Sequence, residues 1–194
     1  NKWGIVLGVE KYNQLSSKKF SERDATLTRE YFKKIVGIPE ENILFLTNLD
    51  ATTSQVKELI KNQIKNKVKS GDEVYIYISG YSGYDSAKNE YLLLSDSNLS
   101  DISNSSYLFD EFIADLGNIS NTKKIVFLDN VSLASNENIN KPNIQNKNIV
   151  LFESLTKDGK IDNYSKNYEH NIFTYSLLKG LYIEADLNMN RKIE

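Results

Sequence analysis

Apolar positions in this chain follow two alternating rhythms. Short strand-like apolar runs at Trp3–Val9, Ile43–Leu46, Val74–Ser79, Lys124–Asp129 and Ile149–Leu155 have the length and β-branched or aromatic content of buried strands. Between them, apolar residues recur at steps of three and four. Leu27, Tyr31, Phe32, Ile35 and Val36 predict a helix from about Glu22 to Val36, ended by Gly37, with Pro39 preventing a restart. Val56, Leu59, Ile60, Ile64 and Val68 predict a second over roughly 54–69, capped by Thr52 or Thr53 and stopped at Gly71. Leu108, Phe109, Phe112, Ile113 and Leu116 predict a third, capped by Ser105 or Ser106. A last helix is predicted over Ile172–Ile183, with Phe173, Leu177, Leu178 and Leu181 inward. Tyr91–Leu94 reads as an edge or hairpin strand leaving a Gly-rich turn at Gly80–Gly83. The alternation argues for an α/β fold: a mostly parallel sheet of about six strands with helices on both faces.

Residues 132–148 break the pattern. They hold six asparagines and one proline among few apolar residues, so a mobile loop is expected there. No shift in composition marks a second domain, and residues 1–185 read as one unit, long enough to bury a core unaided. With 26% charged residues, a formal charge of −2 and lysines spread over the outward face of the 54–69 helix, the chain lacks a nucleic-acid footprint. No apolar run approaches the ~20 residues that span a bilayer. The absence of cysteine excludes disulfides and leaves the compartment open. A start without methionine, directly in a strand, is the expectation for a mature or excised piece of a longer protein.

Candidate chemistry lies where two apolar strands end. Asp72–Ile78 leads into Ser79-Gly80-Tyr81-Ser82-Gly83, and Lys123–Leu128 leads into Asp129-Asn130-Val131-Ser132. Open α/β sheets build their sites at such carboxyl ends. The pair resembles the strands of the caspase and metacaspase family of cysteine peptidases, which end in S-G-H-G and D-A-C-x-S-G. Other stretches are similar to that family in the same order along the chain. They are Gly8-Val9-Glu10-Lys11-Tyr12 after the first strand, Arg23-Asp24-Ala25 opening the first helix, and Pro39-Glu40-Glu41-Asn42-Ile43. Gly71-Asp72-Glu73, Tyr91-Leu92-Leu93-Leu94 with Asp96, and His170-Asn171-Ile172-Phe173-Thr174-Tyr175 complete the series. The resemblance implies a three-layer caspase-like fold. It also implies that the family's catalytic histidine falls on Tyr81 and its cysteine on Val131. The chain has no cysteine and one histidine, His170, so a Cys–His dyad is impossible.

Tyr81 is no substitute base, because a phenol with a pKa of about 10 stays protonated at neutral pH, and Val131 has no lone pair. Ser132 is the alternative nucleophile, but it is one residue out of register and needs an oriented base that these motifs lack. Gly80-Tyr81-Ser82-Gly83 fails as a nucleophile elbow because Tyr84 stands where glycine is required. His170, before the last helix, reads as structural or capping. Asp129 and Asp24 have two readings. The resemblance to metacaspase-like members implies pocket carboxylates for a basic side chain; the residues alone read equally as sheet-end and helix N-terminal acceptors. Asp186, Asn188 and Asn190 alternate as in an EF-hand calcium loop, yet Arg191 replaces the required glycine, leaving a weak calcium site or a turn at 186–194. No other cofactor is expected.

Twelve tyrosines, with Tyr81, Tyr84 and Tyr91 near the degenerate site, favour a recognition surface. The expectation is a catalytically inactive caspase-like module that binds a protein partner, with a peptide or loop in the former substrate groove beside Asp129, Tyr81, Tyr84, Ser132 and Asp24. The alternatives are a hydrolase using Ser132 and a regulatory partner of an active caspase-like peptidase.

Overall fold

The longest strand organises the molecule. In the computed structural model, which describes residues 1–119, 121–133, 148–154 and 164–180, β1 (Lys2–Gly8), β2 (Ile43–Thr47) and β3 (Glu73–Tyr84) run parallel. β3 pairs with β1 from Glu73 to Ser79 and then, on the same side, with antiparallel β4 (Glu90–Leu93) from Tyr81 to Tyr84. Its other side pairs in parallel with β6 (Lys123–Ser132), which pairs with β7 (Ile149–Glu153). β5 (Tyr107–Leu108) adds to β4 and completes a seven-stranded sheet. A separate hairpin joins β8 (Tyr164–Ser165) and β9 (His170–Asn171).

Helices cover both faces, as the alternation of strands and helices predicts. On one face lie α2, which opens at Thr53–Glu58 and continues through wider turns to Lys67, and α4 (Phe109–Gly117). They bury Val56, Ile60, Ile64, Phe112 and Leu116 against Ile5, Leu7, Ile76, Val126 and Leu128. The other face carries α1 (Ser21–Tyr31), extended by a wide turn over Phe32–Val36, and α5 (Ile172–Lys179). Here Ala25, Phe32, Phe173 and Leu177 pack on Val6, Tyr77 and Phe127. Thr52 caps α2 reciprocally with Gln55, as its position before the apolar period predicts.

Three expectations need correction. The turn expected at Gly80–Gly83 is strand, because these glycines serve close approach instead. A Cβ at Gly80 would lie 3.0 Å from the Tyr12 hydroxyl, and one at Gly83 would lie 3.0 Å from Ile102 Cδ1. The chain turns later, where Asp85 Oδ1 accepts from the Ala87 and Asn89 amides at 2.9 Å. Ser105 and Ser106 do not cap the third long helix: Ser105 ends a short helix, α3 (Ile102–Ser105), and β5 intervenes. Leu27 and Ile35 remain 39% and 47% exposed. With Tyr31, His170 and Leu178 they line an open groove of about 390 Å³. The loop expected at 132–148 lies outside the described residues except at its ends. Leu181 and the calcium-like positions Asp186, Asn188 and Asn190 lie outside them altogether.

Candidate functional site

The carboxyl ends of β1, β3 and β6 meet as open α/β topology requires. Tyr81 and Val131 are direct register partners across β3 and β6, so their side chains leave the sheet on the same face, side by side. Tyr81 packs its ring 5.3 Å from that of Tyr12 and donates its hydroxyl to the Ser17 carbonyl at 3.3 Å. Its amide donates to the Tyr12 hydroxyl at 2.9 Å. Val131 beside it is buried. Neither side chain offers a nucleophile or a neutral-pH base.

Ser132 and Tyr84 leave on the opposite face, together with Ser82 and Glu90. The Tyr84 phenol is pushed up by burial and by the Glu90 carboxylate, and Ser132 bonds to it. Ser132 is itself buried. The five residues expected at one crevice are therefore split by the sheet: Tyr81, Asp129 and Asp24 on the α1 and α5 face, Tyr84 and Ser132 on the other.

Directly beneath Tyr81 and Val131, one step back along the same face, lies a buried polar cluster. Ser79 and Asp129 are register partners, and both are 0% exposed, as are Ser21, Asp24 and Thr174. Tyr77 donates to Thr174 Oγ1 at 2.5 Å, and Thr174 donates to Asp129 Oδ2 at 2.6 Å. Asp129 Oδ1 has no hydrogen-bond partner among the described residues. Asp24 receives the Asn171 amide at 2.9 Å, Asn171 Nδ2 at 2.8 Å and His170 Nδ1 at 2.5 Å. Burial raises the Asp24 carboxyl; His170 and the Asn171 backbone amide oppose the rise, and the nearby Asp129 carboxylate adds to it. His170 thus joins the start of α5 to α1, the structural role its position before that helix predicts. Complete burial keeps Asp24 and Asp129 from touching a partner at the rim as the folded chain stands.

The cluster contains a group that sequence reasoning missed. Lys18, in the irregular segment before α1, is 4% exposed and donates from Nζ to Ser79 Oγ at 3.1 Å and Ser21 Oγ at 3.2 Å. Ser79 in turn donates to Ser21 at 3.0 Å. Lysine beside serine is a combination that can activate a nucleophile. Both hydroxyls are sealed beneath α1, however, where no substrate reaches. Nothing in Lys18-Lys19-Phe20 marks one lysine as buried; the left-handed backbone at Phe20, φ 68°, and the seating of α1 decide it.

Among the described residues no group of three or more His, Asp or Glu side chains is placed to hold a metal ion. No described helix is long and apolar enough to cross a membrane.

No family model matches the chain, and no curated protein matches it either. Among solved structures it is similar to the crystal structure of protein GSU0716 from Geobacter sulfurreducens, a structural-genomics target. The TM-score is 0.52 at 18% sequence identity, over 67% of this chain and 50% of that one. The match therefore spans about half the length of that protein. This is a likeness of fold alone.

Proposed function

We propose that this chain is a catalytically silent, caspase-like domain that acts as a protein-binding module. The observation that carries the reading is the pairing of Tyr81 with Val131. The ordered motifs resemble the caspase and metacaspase family, and the two positions matching its histidine and cysteine are neighbours on one face of the sheet at its carboxyl end. Those positions hold a phenol and an isopropyl group. The family's chemistry needs a thiolate and an imidazole there, and this chain has neither group at those positions. A groove that takes an extended peptide needs only backbone donors, acceptors and side-chain contacts to bind one. Tyr81 and Tyr84 are the aromatic contacts proposed on the two sides of the sheet end.

The rival hydrolase reading, with Ser132 as nucleophile, draws no support from this arrangement. Ser132 faces away from Tyr81 and Val131, and the chain's one histidine is bonded to Asp24 on the other side of the sheet. A serine-reactive phosphonate probe is expected to leave Ser132 unmodified; stoichiometric labelling there would refute catalytic silence. For a partner recovered from the source organism, Tyr81→Ala or Tyr84→Ala should weaken binding by about 1–2 kcal/mol. A partner indifferent to both changes but sensitive to the β7 edge would place the binding surface elsewhere.

A further inference from the structure

Among the described residues, α1 and α5 leave an apolar groove uncovered between them. Leu27 and Ile35, about two turns apart on α1 and its extension, stay 39% and 47% exposed. With Leu178 of α5 they wall a space of about 390 Å³. That volume falls in the range of small-molecule sites, which join apolar walls to a few placed polar groups. The polar group here is His170. Its Nδ1 is held by Asp24 Oδ1 at 2.5 Å, and Asp24, which also accepts from the Asn171 amide and Nδ2, is fully buried. A carboxylate that only accepts fixes the proton on Nδ1 and leaves Nε2 as the ring's outward nitrogen. Nε2 has no hydrogen-bond partner among the described residues, and the side chain is 14% exposed where it lines the groove. The Tyr175 ring stands beside it, centroids 6.4 Å apart. Two ammonium groups, Lys34 and Lys179, share the groove with one carboxylate, Glu30, which is tied to Lys34 at 3.0 Å. The balance is positive before His170 is counted.

We infer that this groove binds a medium-chain carboxylate, its alkyl chain along Leu27, Ile35 and Leu178 and its carboxyl group on His170 Nε2. One proton lies between the two groups in either form: an imidazolium donates N–H to the carboxylate, or the neutral acid donates O–H to Nε2. Asp24 is a positioning residue, since it touches the ring and not the ligand. Burial of the alkyl chain supplies the affinity, and the contact at Nε2 supplies the selectivity. An alcohol of equal length keeps the apolar contact and loses the charge. An alkylammonium of equal length meets Lys34 and Lys179 with like charge. Tyr81, Val131, Tyr84 and Ser132 do not line this groove. The inference therefore goes beyond the binding-module reading and stands if that reading fails.

The test is a ligand titration of the full chain read by NMR. His170 is the chain's one histidine, so its ring resonances report on this site alone. Sodium octanoate should move the His170 Hε1 and Nε2 resonances saturably, with half-saturation below about 1 mM. Octan-1-ol and octylammonium should bind at least tenfold more weakly, as loss of one charge-assisted hydrogen bond predicts. Ile35→Asp sets a carboxylate on the groove wall at an exposed position, and should weaken octanoate binding at least tenfold without unfolding the chain. His170→Phe keeps a ring without its nitrogens and should weaken octanoate equally by calorimetry. If His170→Phe does not fold, the ligand series and Ile35→Asp decide. Octanoate that leaves the His170 resonances unmoved, binds no tighter than the alcohol, or binds either folded variant as tightly as the parent overturns the inference.

Discussion

Gly8→Ala tests how α1 is seated on the sheet. A Cβ at residue 8 would stand 2.5 Å from Ala25 Cβ and 2.6 Å from the Ser21 carbonyl oxygen. Carbon contacts are comfortable at about 3.5–4.0 Å, so the overlap is about 1 Å, and one of the two obstacles is backbone. A side-chain tip can rotate away, whereas here the first turn of α1 must lift. Overpacking a tight core costs about 1–3 kcal/mol, and the backbone contact puts this site at the upper end. The lower unfolded-state entropy of alanine returns about 0.5 kcal/mol, leaving about 2.5 kcal/mol. At roughly 2–4 °C per kcal/mol for a domain of this length, Tm should fall by about 5–10 °C. Gly4→Ala is the internal control. Its Cβ would meet only side-chain atoms of Ile43, Phe32 and Ile38, at 3.3, 3.4 and 3.5 Å, and should change stability by less than about 1 kcal/mol. Urea unfolding read by tyrosine and Trp3 fluorescence, with unchanged m, measures both. Equal costs at the two positions would refute the close seating of α1, and with it the burial of Lys18, Ser21 and Asp24.

The buried chain from Tyr77 through Thr174 to Asp129 makes an ordered prediction. Tyr77→Phe should cost about 1 kcal/mol, one neutral hydrogen bond; Thr174→Val should cost about 3 kcal/mol, because it strips a donor from a carboxylate sealed from water. Urea midpoints that reverse this order would contradict the assigned directions. Asp72 supplies a pH dependence. Its carboxyl is held below the ordinary carboxylate range by three donors, the Asn1 nitrogen, the Lys69 amide and the Trp3 indole. A carboxylate depressed on folding stabilises the fold above its unfolded value near 3.8, and that contribution is lost as pH falls from about 4 towards 2. Asp72→Asn should flatten this part of the stability–pH curve; an unchanged slope would remove Asp72 from the acid response.

Most of the architecture was legible because strand and helix periods differ and this chain keeps them apart. The runs at Trp3–Val9 and Lys124–Asp129 became β1 and β6 with small shifts at their ends. The one-residue offset between Val131 and Ser132 correctly placed them on opposite faces, since strand alternation is fixed by covalent geometry. Glycine was the misleading residue. At Gly80 and Gly83 it read as a turn, although what it provides is room for Tyr12 and Ile102. The partial exposure of Leu27 and Ile35 also escaped a periodicity argument. A stripe shows which residues share a face, not whether a neighbouring element covers all of it. Lys18 was invisible for a similar reason: its burial depends on a left-handed turn at Phe20 and on hydroxyls from β3 and α1. Asp129 and Asp24 were picked out by sequence, but their depth was not. They lie under the sheet end rather than at its rim, because α1 and α5 close over them.

Catalytic silence is the central claim, and a turnover assay on the intact chain tests it most directly. Peptide substrates cut after Arg, Lys or Asp should be incubated with the protein at neutral pH, with and without calcium, beside the Ser132→Ala variant. Cleavage indistinguishable from buffer in every arm is the predicted result. Turnover by the intact chain that disappears in Ser132→Ala would contradict it and establish a displaced serine nucleophile.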